Sequence, residues 1–217
     1  MDQPAASVAT MSRRERRRRE TIEEILDLSL EVMKQEGVAR LNLTSVAKRL
    51  GVQPTAIYKY FPSLIAVYDA LFRRAVDSLF RELSAAMGAA APGMATVRAA
   101  VRSAAQWSVG NPELAQLLVW RPIPGYTAPP DALAPSVIAL DMLSEALGDA
   151  ADAGEISPEI AGMRGAHIIA VLLVGAVNMH FTDFGTRENP EDFIELVPSL
   201  VDMFVCAFSP SRNLVEK

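Results

Sequence analysis

Apolar positions along the chain recur every three to four residues, which is the spacing of one face of an α-helix. The clearest stretch runs from Leu43 to Leu50, with Val46 and Ala47 between them on the same stripe and Asn42 ahead of it as an N-cap. Alternating apolar and polar runs, which would indicate β-strands, are absent from the sequence. The pattern therefore predicts an all-α protein.

Extended along the whole sequence, the same periodicity predicts about nine helices. They span roughly 21–37, 43–50, 54–61, 63–87, 94–109, 112–120, 134–153, 158–183 and 190–208. Thr21-Ile22-Glu23-Glu24 is expected to be a capping box inside the first helix or at its start. Asn111, Ser157 and Asn189 each precede a proline and a glutamate, which is a helix-start signal. Prolines between 121 and 131 predict an irregular loop.

A tight turn separates the second and third predicted helices. Gly51 occupies a position where positive φ ends a helix, Val52 follows as an apolar anchor, and Pro54 suits the first position of the next helix. On that helix Ile57 and Phe61 share one face. The opposite face carries Thr55, Tyr58 and Lys59. Two short helices with one buried stripe and one polar stripe indicate a helix-turn-helix.

The stretch 57–63, Ile-Tyr-Lys-Tyr-Phe-Pro-Ser, resembles the L-Y-x-Y-F-x-[SN] signature of the TetR/AcrR family of bacterial repressors. Val46-Ala47 and Leu50-Gly51-Val52 support the resemblance. Asn42 stands where the family usually has Thr or Ser, and it also caps a helix. Leu64 stands where the family usually has Lys, which removes an expected phosphate contact.

The resemblance implies a homodimeric, DNA-binding transcriptional regulator with a bacterial, cytoplasmic setting. Its expected organisation is a flexible basic arm at 1–19, a three-helix helix-turn-helix domain at 20–62, and a helical ligand-binding and dimerisation domain at 63–217. The expected activity is repression at a palindromic operator, relieved by a small, largely apolar effector. The residues expected to contact DNA are Thr44, Lys48, Gln53, Pro54, Thr55, Tyr58, Lys59, Tyr60, Arg17 and Arg18.

The charge distribution agrees with this division of the chain. The net charge is −5, but residues 1–60 carry +3 and the remainder carries −8. Six arginines lie between Arg13 and Arg19. This run is interpreted as an arm that contacts phosphates or the minor groove; a solvated charge run is the alternative. A basic DNA-binding head on an acidic body is the expected arrangement.

Composition argues against several other classes of protein. With two His, one Cys and no motif of a hydrolase, P-loop or dinucleotide enzyme, the sequence predicts no catalytic residues, no cofactor and no metal site. His180, Asp183 and Glu188 make a metal site conceivable, although no second His or Cys is in frame. The longest apolar run, Ile168 to Val177, is shorter than the roughly twenty residues that cross a bilayer. No secretory signal is present.

The helix predicted at 158–183 is apolar on nearly every side, which predicts a central position. His167 and Asn178 fall on one stripe of it, an arrangement that suits a small-molecule pocket; hydrogen-bonded core residues are the alternative. Trp107 and the stretch from Arg121 to Tyr126 resemble the C-terminal domain of an actinobacterial-type subgroup of the family. Arg121 could pair with an acidic effector, Asp131 or Glu113. The expected effector-binding residues are Trp107, Trp120, Arg121, Tyr126, Met142, Met163, His167 and Asn178.

The last predicted helix is too apolar to have one side fully in water. With the helix at 158–183 it is expected to form half of a four-helix dimer interface. The expected interface residues are Val177, Phe193, Val197, Leu200, Val201, Phe204 and Phe208. His180 is assigned to the partner face or solvent, and Cys206 is expected to be a small buried apolar residue.

Two other functions remain open from sequence. The chain could be a helical small-molecule sensor that has lost DNA binding, as the leucine at position 64 suggests. It could also be a helical metal-binding protein or enzyme, which the residue types make less favourable.

Overall fold

The computed structural model describes residues 12–120, 123–182 and 189–210. These residues form nine α-helices and no β-strand, which confirms the predicted all-α class. The helices are α1 Arg13–Glu36, α2 Leu43–Leu50, α3 Pro54–Ile57, α4 Leu64–Ala89, α5 Met94–Gly110, α6 Pro112–Trp120, α7 Ala134–Asp152, α8 Met163–His180 and α9 Pro190–Ala207. Short 3₁₀ turns occur at Val38–Arg40, Pro130–Leu133 and Pro158–Ile160. The chain divides into two compact units between Val67 and Tyr68, hereafter the head and the body.

The first helix begins earlier than the sequence analysis predicts. Ser12 Oγ accepts a hydrogen bond from the Glu15 N–H at 3.2 Å, and the Glu15 carboxylate accepts one from the Ser12 N–H at 2.9 Å. These bonds from Ser12 lower the pKa of the Glu15 carboxyl. The capping box is therefore at Ser12, and the Thr21 hydroxyl instead donates to the Arg17 carbonyl. The prediction of a flexible arm is wrong for 13–19, because these residues form the first turns of α1.

The core of the head consists of apolar residues from three helices. Ile25, Leu26, Val32 and Met33 of α1 are buried, and α1 packs on α2, which packs on α3. The buried residues of the second and third helices are Leu43, Val46, Ala47 and Ile57. This core presents α3 at the surface of the head.

Gly51 ends α2 in the left-handed region, with φ of 72°, as predicted. The Val52 N–H donates to the Ala47 carbonyl at 3.0 Å and the Gly51 N–H to the Lys48 carbonyl at 3.3 Å. This bonding closes the helix end as a Schellman motif. Val52 itself is exposed, so the prediction that it is an apolar anchor is wrong.

The core of the body is formed mainly by α5, α7, α8 and α9. Helix α5 packs on α9, and α7 packs on α8. Arg98 of α5 pairs with Asp202 of α9, and the Ser157 N–H donates to the Phe208 carbonyl at 2.7 Å. The central buried residues include Val97, Val101, Ala105, Leu147, Ile156, Ile160, Ile169, Val197, Val201 and Phe204.

The start of α5 is capped by a residue distant in sequence. Gly93 precedes the helix with φ of 85° and offers no side chain as a cap. The Glu155 carboxylate instead accepts a hydrogen bond from the Met94 N–H at 2.8 Å. A Cβ on Gly93 would lie 2.5 Å from the same carboxylate oxygen, so glycine leaves room for the cap. The negative charge also complements the positive end of the helix dipole.

The single helix predicted at 158–183 is interrupted. A 3₁₀ turn at Pro158–Ile160 is followed by Gly162, whose φ of 74° breaks the helical path before Met163 starts α8. At Gly165 an added Cβ would lie 2.2 Å from the Ile160 carbonyl oxygen and 3.0 Å from Leu147 Cδ1. Glycine at this position therefore lets α8 pass close to both the preceding turn and α7.

Candidate nucleic-acid interface and ligand cavity

The DNA-reading segment predicted at 54–61 is helical only in its first part. Helix α3 ends at Ile57, and Tyr58, Lys59 and Tyr60 form a turn. The N–H groups of Tyr60 and Phe61 both donate to the Ile57 carbonyl, at 2.8 Å and 3.0 Å. Ile57 and Phe61 are buried, as their spacing predicts, because they attach the segment to the head core.

The polar residues of the segment face solvent. Thr55, Tyr58 and Lys59 are exposed, and the Tyr58 side chain has 53% of its surface accessible. Gln53 is exposed ahead of the helix, while Pro54 and Tyr60 are half-buried. Thr44 and Lys48 of α2 are exposed as well. These residues offer hydroxyl, phenol, amide and amine groups for contacts to base edges and phosphates.

A basic cleft lies beside this segment. It has a volume of about 810 Å³ and is lined by Arg13, Arg14, Arg17, Arg18, Thr21, Lys59 and Tyr60. The structure thus brings the predicted DNA-contacting residues Arg17 and Arg18 to the end of the reading segment. Five cations without a carboxylate in the lining suit a phosphate group. Two sequence signals indicate that these arginines share one face of a helix. Ser12 and Glu15 form a capping pair, and Arg13 and Arg14 precede Arg17 and Arg18 by four residues.

Among the arginines of the cleft, Arg18 contacts the turn that follows α3 in two ways. Its Nη1 donates to the Lys59 carbonyl at 3.3 Å, and its guanidinium carbon lies 5.3 Å from the centre of the Tyr60 ring. The first is a hydrogen bond from a cation to the end of a helical segment. The second is within the range of a cation–π interaction, which extends to about 6 Å.

The body contains a separate, mostly apolar cavity of about 330 Å³. Trp107, a predicted effector residue, lines it and donates from Nε1 to Ser78 Oγ at 3.1 Å. The other lining residues are Leu79, Ala104, Ser108, Ala115, Leu118, Val119, Leu173, Val174 and Val177. The volume is at the lower end of ligand pockets, which begin at about 300 Å³. The lining alanines could not be predicted from sequence, because small apolar residues carry no chemical signal.

The other predicted effector residues do not meet in this cavity. His167 and Asn178 lie on an open groove of α8, and Trp120 Nε1 donates to Asn178 Oδ1 at 2.5 Å. Met163 is exposed at the start of α8, and Met142 is partly buried on the core. His167 and Asn178 thus share a groove that is separate from the cavity beside Trp107, and their role in effector binding stays a prediction.

Tyr126 belongs to an aromatic cluster at another place in the body. Its ring lies 6.1 Å from that of Tyr68 and 6.4 Å from that of Phe72, and burial raises the pKa of Tyr68.

Nearby in sequence, Asp131 receives two contacts of 2.9 Å from the Arg73 guanidinium. This hydrogen bonding holds the pKa of the Asp131 carboxyl below its ordinary value.

Arg121, which was considered as a partner of Asp131 or Glu113, lies outside the described residues.

The predicted dimer-interface residues are mostly in the body's own core. The buried ones are Val177, Phe193, Val197, Val201 and Phe204, while Leu200 and Phe208 are partly buried. Their assignment to an interface is wrong for the buried five, because these side chains pack in the core of the single chain. His180 stacks on Phe193 with ring centres 4.3 Å apart, so its assignment to a partner face or solvent is also wrong.

The residues exposed on α8 and α9 are a different set. Val171 and Met203 have 70% and 67% of their surfaces accessible. Five exposed apolar residues of these helices are hereafter called the outer apolar face: Val171, Val174, Met179, Leu196 and Met203. Cys206 is also exposed, so the prediction that it is buried is wrong. Helix α8 was expected to be central, but only four of its residues are buried: Gly165, Ala166, Ile169 and Val177.

Two further findings concern other classes of site. By length and composition α8 could cross a membrane, with 22% of the helix buried in the body. Among the described residues no group of three or more His, Cys, Asp or Glu could hold a metal ion. Asp183 and Glu188, considered with His180 for a metal site, lie outside the described residues.

Comparison with known proteins relates the head to one family. The model of the family described as "Bacterial regulatory proteins, tetR family" matches residues 25–71. The HTH-type transcriptional regulator Rv1816 of Mycobacterium tuberculosis is 34% identical over 119 residues, which cover 54% of this chain and 51% of that protein. In these alignments the chain spans about half the length of the curated relatives it matches.

Solved structures extend the similarity in fold to most of the chain. The fatty acid degradation regulator FadR from Bacillus halodurans aligns with a TM-score of 0.66 at 19% identity, over 83% of this chain and 94% of that one. A TetR/AcrR-family regulator from Thermobifida fusca aligns with a TM-score of 0.64 at 17% identity, over 84% and 96%. At such identities the similarity concerns the fold.

Proposed function

Because the chain belongs to the TetR family of bacterial regulatory proteins, we propose that it is a cytoplasmic, DNA-binding transcriptional regulator that acts as a homodimeric repressor. The observation that carries this proposal is the two-sided reading segment. Ile57 and Phe61 fix it to the head core, while Thr55, Tyr58 and Lys59 project into solvent. Side chains held outward on an anchored segment can contact base edges in the major groove.

The surrounding cations supply affinity for the DNA backbone. Arg13, Arg14 and Arg17 line the basic cleft, and Lys48 is exposed on α2. Contacts from such residues to phosphates are independent of sequence and weaken as salt increases. The acidic body carries −8 and repels DNA, so the head is the part that docks.

Replacing Tyr58 by alanine is expected to weaken binding to the operator by about thirtyfold, because a good base contact contributes about 2 kcal/mol. Tyr58 is largely exposed, so the head should keep its stability. The measurement is fluorescence anisotropy with a duplex from the region upstream of the chain's own gene. A shuffled duplex of the same composition should bind both proteins equally.

Lys34→Ala is the control, because Lys34 is an exposed cation at the far end of α1. It should leave operator affinity nearly unchanged. Absence of any binding by the wild-type protein at low salt would instead favour the helical sensor without DNA binding. Leu64 in place of the family's usual lysine is the observation that motivates this second candidate.

The cavity beside Trp107 is the proposed effector site. Its lining is apolar except for Ser108, and the Ser108 hydroxyl already donates to the Ala104 carbonyl at 2.8 Å. Such a site favours a small, largely apolar molecule with few hydrogen-bonding groups. The effector releases the operator only if it binds more tightly to a conformation that DNA disfavours.

The fluorescent probe 1-anilinonaphthalene-8-sulfonate, whose aromatic rings are apolar and whose sulfonate can remain at the opening, is expected to bind the body saturably and quench Trp107. Ala104→Leu should weaken this binding about tenfold or more, because the added carbons occupy the cavity that Ala104 lines. His167→Ala is the control, since His167 lies on the open groove. Fluorescence titration measures the affinity of the probe for the two variants and the wild-type protein. Loss of binding in His167→Ala with retention in Ala104→Leu would transfer the site to α8's outer groove.

The outer apolar face is the proposed dimer interface. Its residues are carried by α8 and α9, two long helices that can pair with the same helices of a second copy. The same side of α8 carries His167 and Asn178, whose polar groups suit a protein interface better than a bilayer interior. A dimer places two heads on one DNA, which explains recognition of a palindromic operator.

A further inference from the structure

We propose that Arg18 is a positioning residue that fixes the end of the DNA-reading segment and is not itself a phosphate contact. This inference rests on the proposed DNA-binding function and separates Arg18 from the arginines around it. Its basis is the pair of contacts that Arg18 makes with consecutive residues of the turn, the Lys59 carbonyl and the Tyr60 ring.

The end of the reading segment requires such support because α3 is short. The helix has four residues, and the chain continues after Ile57 as a turn. A helix end leaves carbonyl groups without partners within the helix. The Arg18 guanidinium supplies a donor to the Lys59 carbonyl in this turn.

The contact with Tyr60 anchors the side chain that follows. Tyr60 is half-buried, and the Arg18 guanidinium lies over its ring. Tyr58 and Lys59 are thus held between the buried Ile57 on one side and the Arg18-supported Tyr60 on the other. Without Arg18 the backbone at Lys59 loses its cross-helix bond, and the exposed Tyr58 and Lys59 side chains sample more orientations.

Arg14 provides a matched comparison. It lies one helical turn before Arg18 on α1 and lines the same basic cleft. Among the residues that the structure describes, its side chain forms no hydrogen bond or ion pair with the protein. Its guanidinium is therefore available to a phosphate, whereas that of Arg18 is engaged by the turn.

The test measures selectivity and salt dependence together for Arg18→Ala and Arg14→Ala. The probes are the duplex from upstream of the chain's own gene and the shuffled duplex of the same composition. Arg18→Ala should reduce the ratio of the two affinities about tenfold, the combined effect of a charged hydrogen bond and a cation–π contact. For this variant, the slope of log affinity against log salt concentration should equal that of the wild-type protein.

Arg14→Ala should behave in the opposite way. It should weaken binding to both duplexes alike, keep their ratio, and reduce the magnitude of the salt slope by about 1. Arg18→Lys should recover part of the selectivity, because an ammonium can donate to the carbonyl but lacks the planar group that stacks on Tyr60.

Equal behaviour of the two alanine variants would overturn the inference, as would wild-type selectivity in Arg18→Ala. A wild-type protein that binds both duplexes with the same affinity contradicts the proposed function itself, and this is seen before any variant is made. Thermal unfolding followed by circular dichroism checks that both variants keep the head folded, as expected for exposed positions.

Discussion

Replacement of Gly165 by alanine is expected to lower the free energy of unfolding of the body by about 3 kcal/mol, the upper part of the range for overpacked cores. The new Cβ would lie 2.2 Å from the Ile160 carbonyl oxygen, a backbone atom that cannot rotate away. Relief requires movement of α8 against the Pro158–Ile160 turn and against Leu147 of α7. Urea denaturation followed by tryptophan fluorescence measures the loss, because both tryptophans are in the body.

Gly148→Ala is the matched control for this substitution. Gly148 lies inside α7, and a Cβ there would meet no atom within 4 Å. Alanine is favoured over glycine inside a helix, so this variant should be more stable than wild type by about 0.5–1 kcal/mol. A loss of stability in Gly165→Ala no greater than about 0.5 kcal/mol, the size of an ordinary surface substitution, would show that the close approach of α8 is absent in solution.

The double variant Val171→Asp and Met203→Asp is expected to convert the protein to monomers and to weaken operator binding at least about hundredfold. Carboxylates on the outer apolar face would be desolvated without partners in a dimer. Loss of the dimer removes the effective concentration that links the second head to the second half-site. Sedimentation velocity gives the oligomeric state, and anisotropy with the operator duplex gives the affinity.

The stability of the single chain should change little in this double variant. Both side chains are more than half exposed, so the core of the body does not depend on them. Val137→Asp is the control, since Val137 is an exposed valine on α7 with 56% of its surface accessible. It should stay dimeric. Dimers of wild-type strength in the double variant would disprove the proposed interface.

Helix positions in the head could be predicted from sequence because several local signals agree there. The apolar stripe of α2, its Asn42 cap and the left-handed Gly51 each specify the same helix. The reading segment was predicted too long, because periodicity alone does not show where a short helix passes into a turn. The start of α1 was missed because two capping-box patterns, at Ser12 and at Thr21, compete in the sequence.

The faces of α8 and α9 could not be predicted in the same way. Helix α8 is apolar on most sides, and the acidic residues of α9 mark one exposed side without showing whether its other apolar residues pack in the body or remain outside. Tertiary packing decides it: Val197 and Val201 enter the core, while Met203 remains outside. The cavity beside Trp107 could not be predicted from sequence either, because its shape depends on where α6 and α8 pass α5.

Because the chain is synthesised from its N-terminal side, the Glu155 cap and the Ser157 contact can form only after the head has been synthesised. The residues of the head leave the ribosome before those of the body and contain the core of the head, so the head can fold while the body is being synthesised. The cap of α5 forms only after Glu155 has been synthesised, and the Ser157 contact only after Phe208 has been synthesised. A chain truncated before α9 would therefore carry a folded head on an incomplete body with an exposed apolar core.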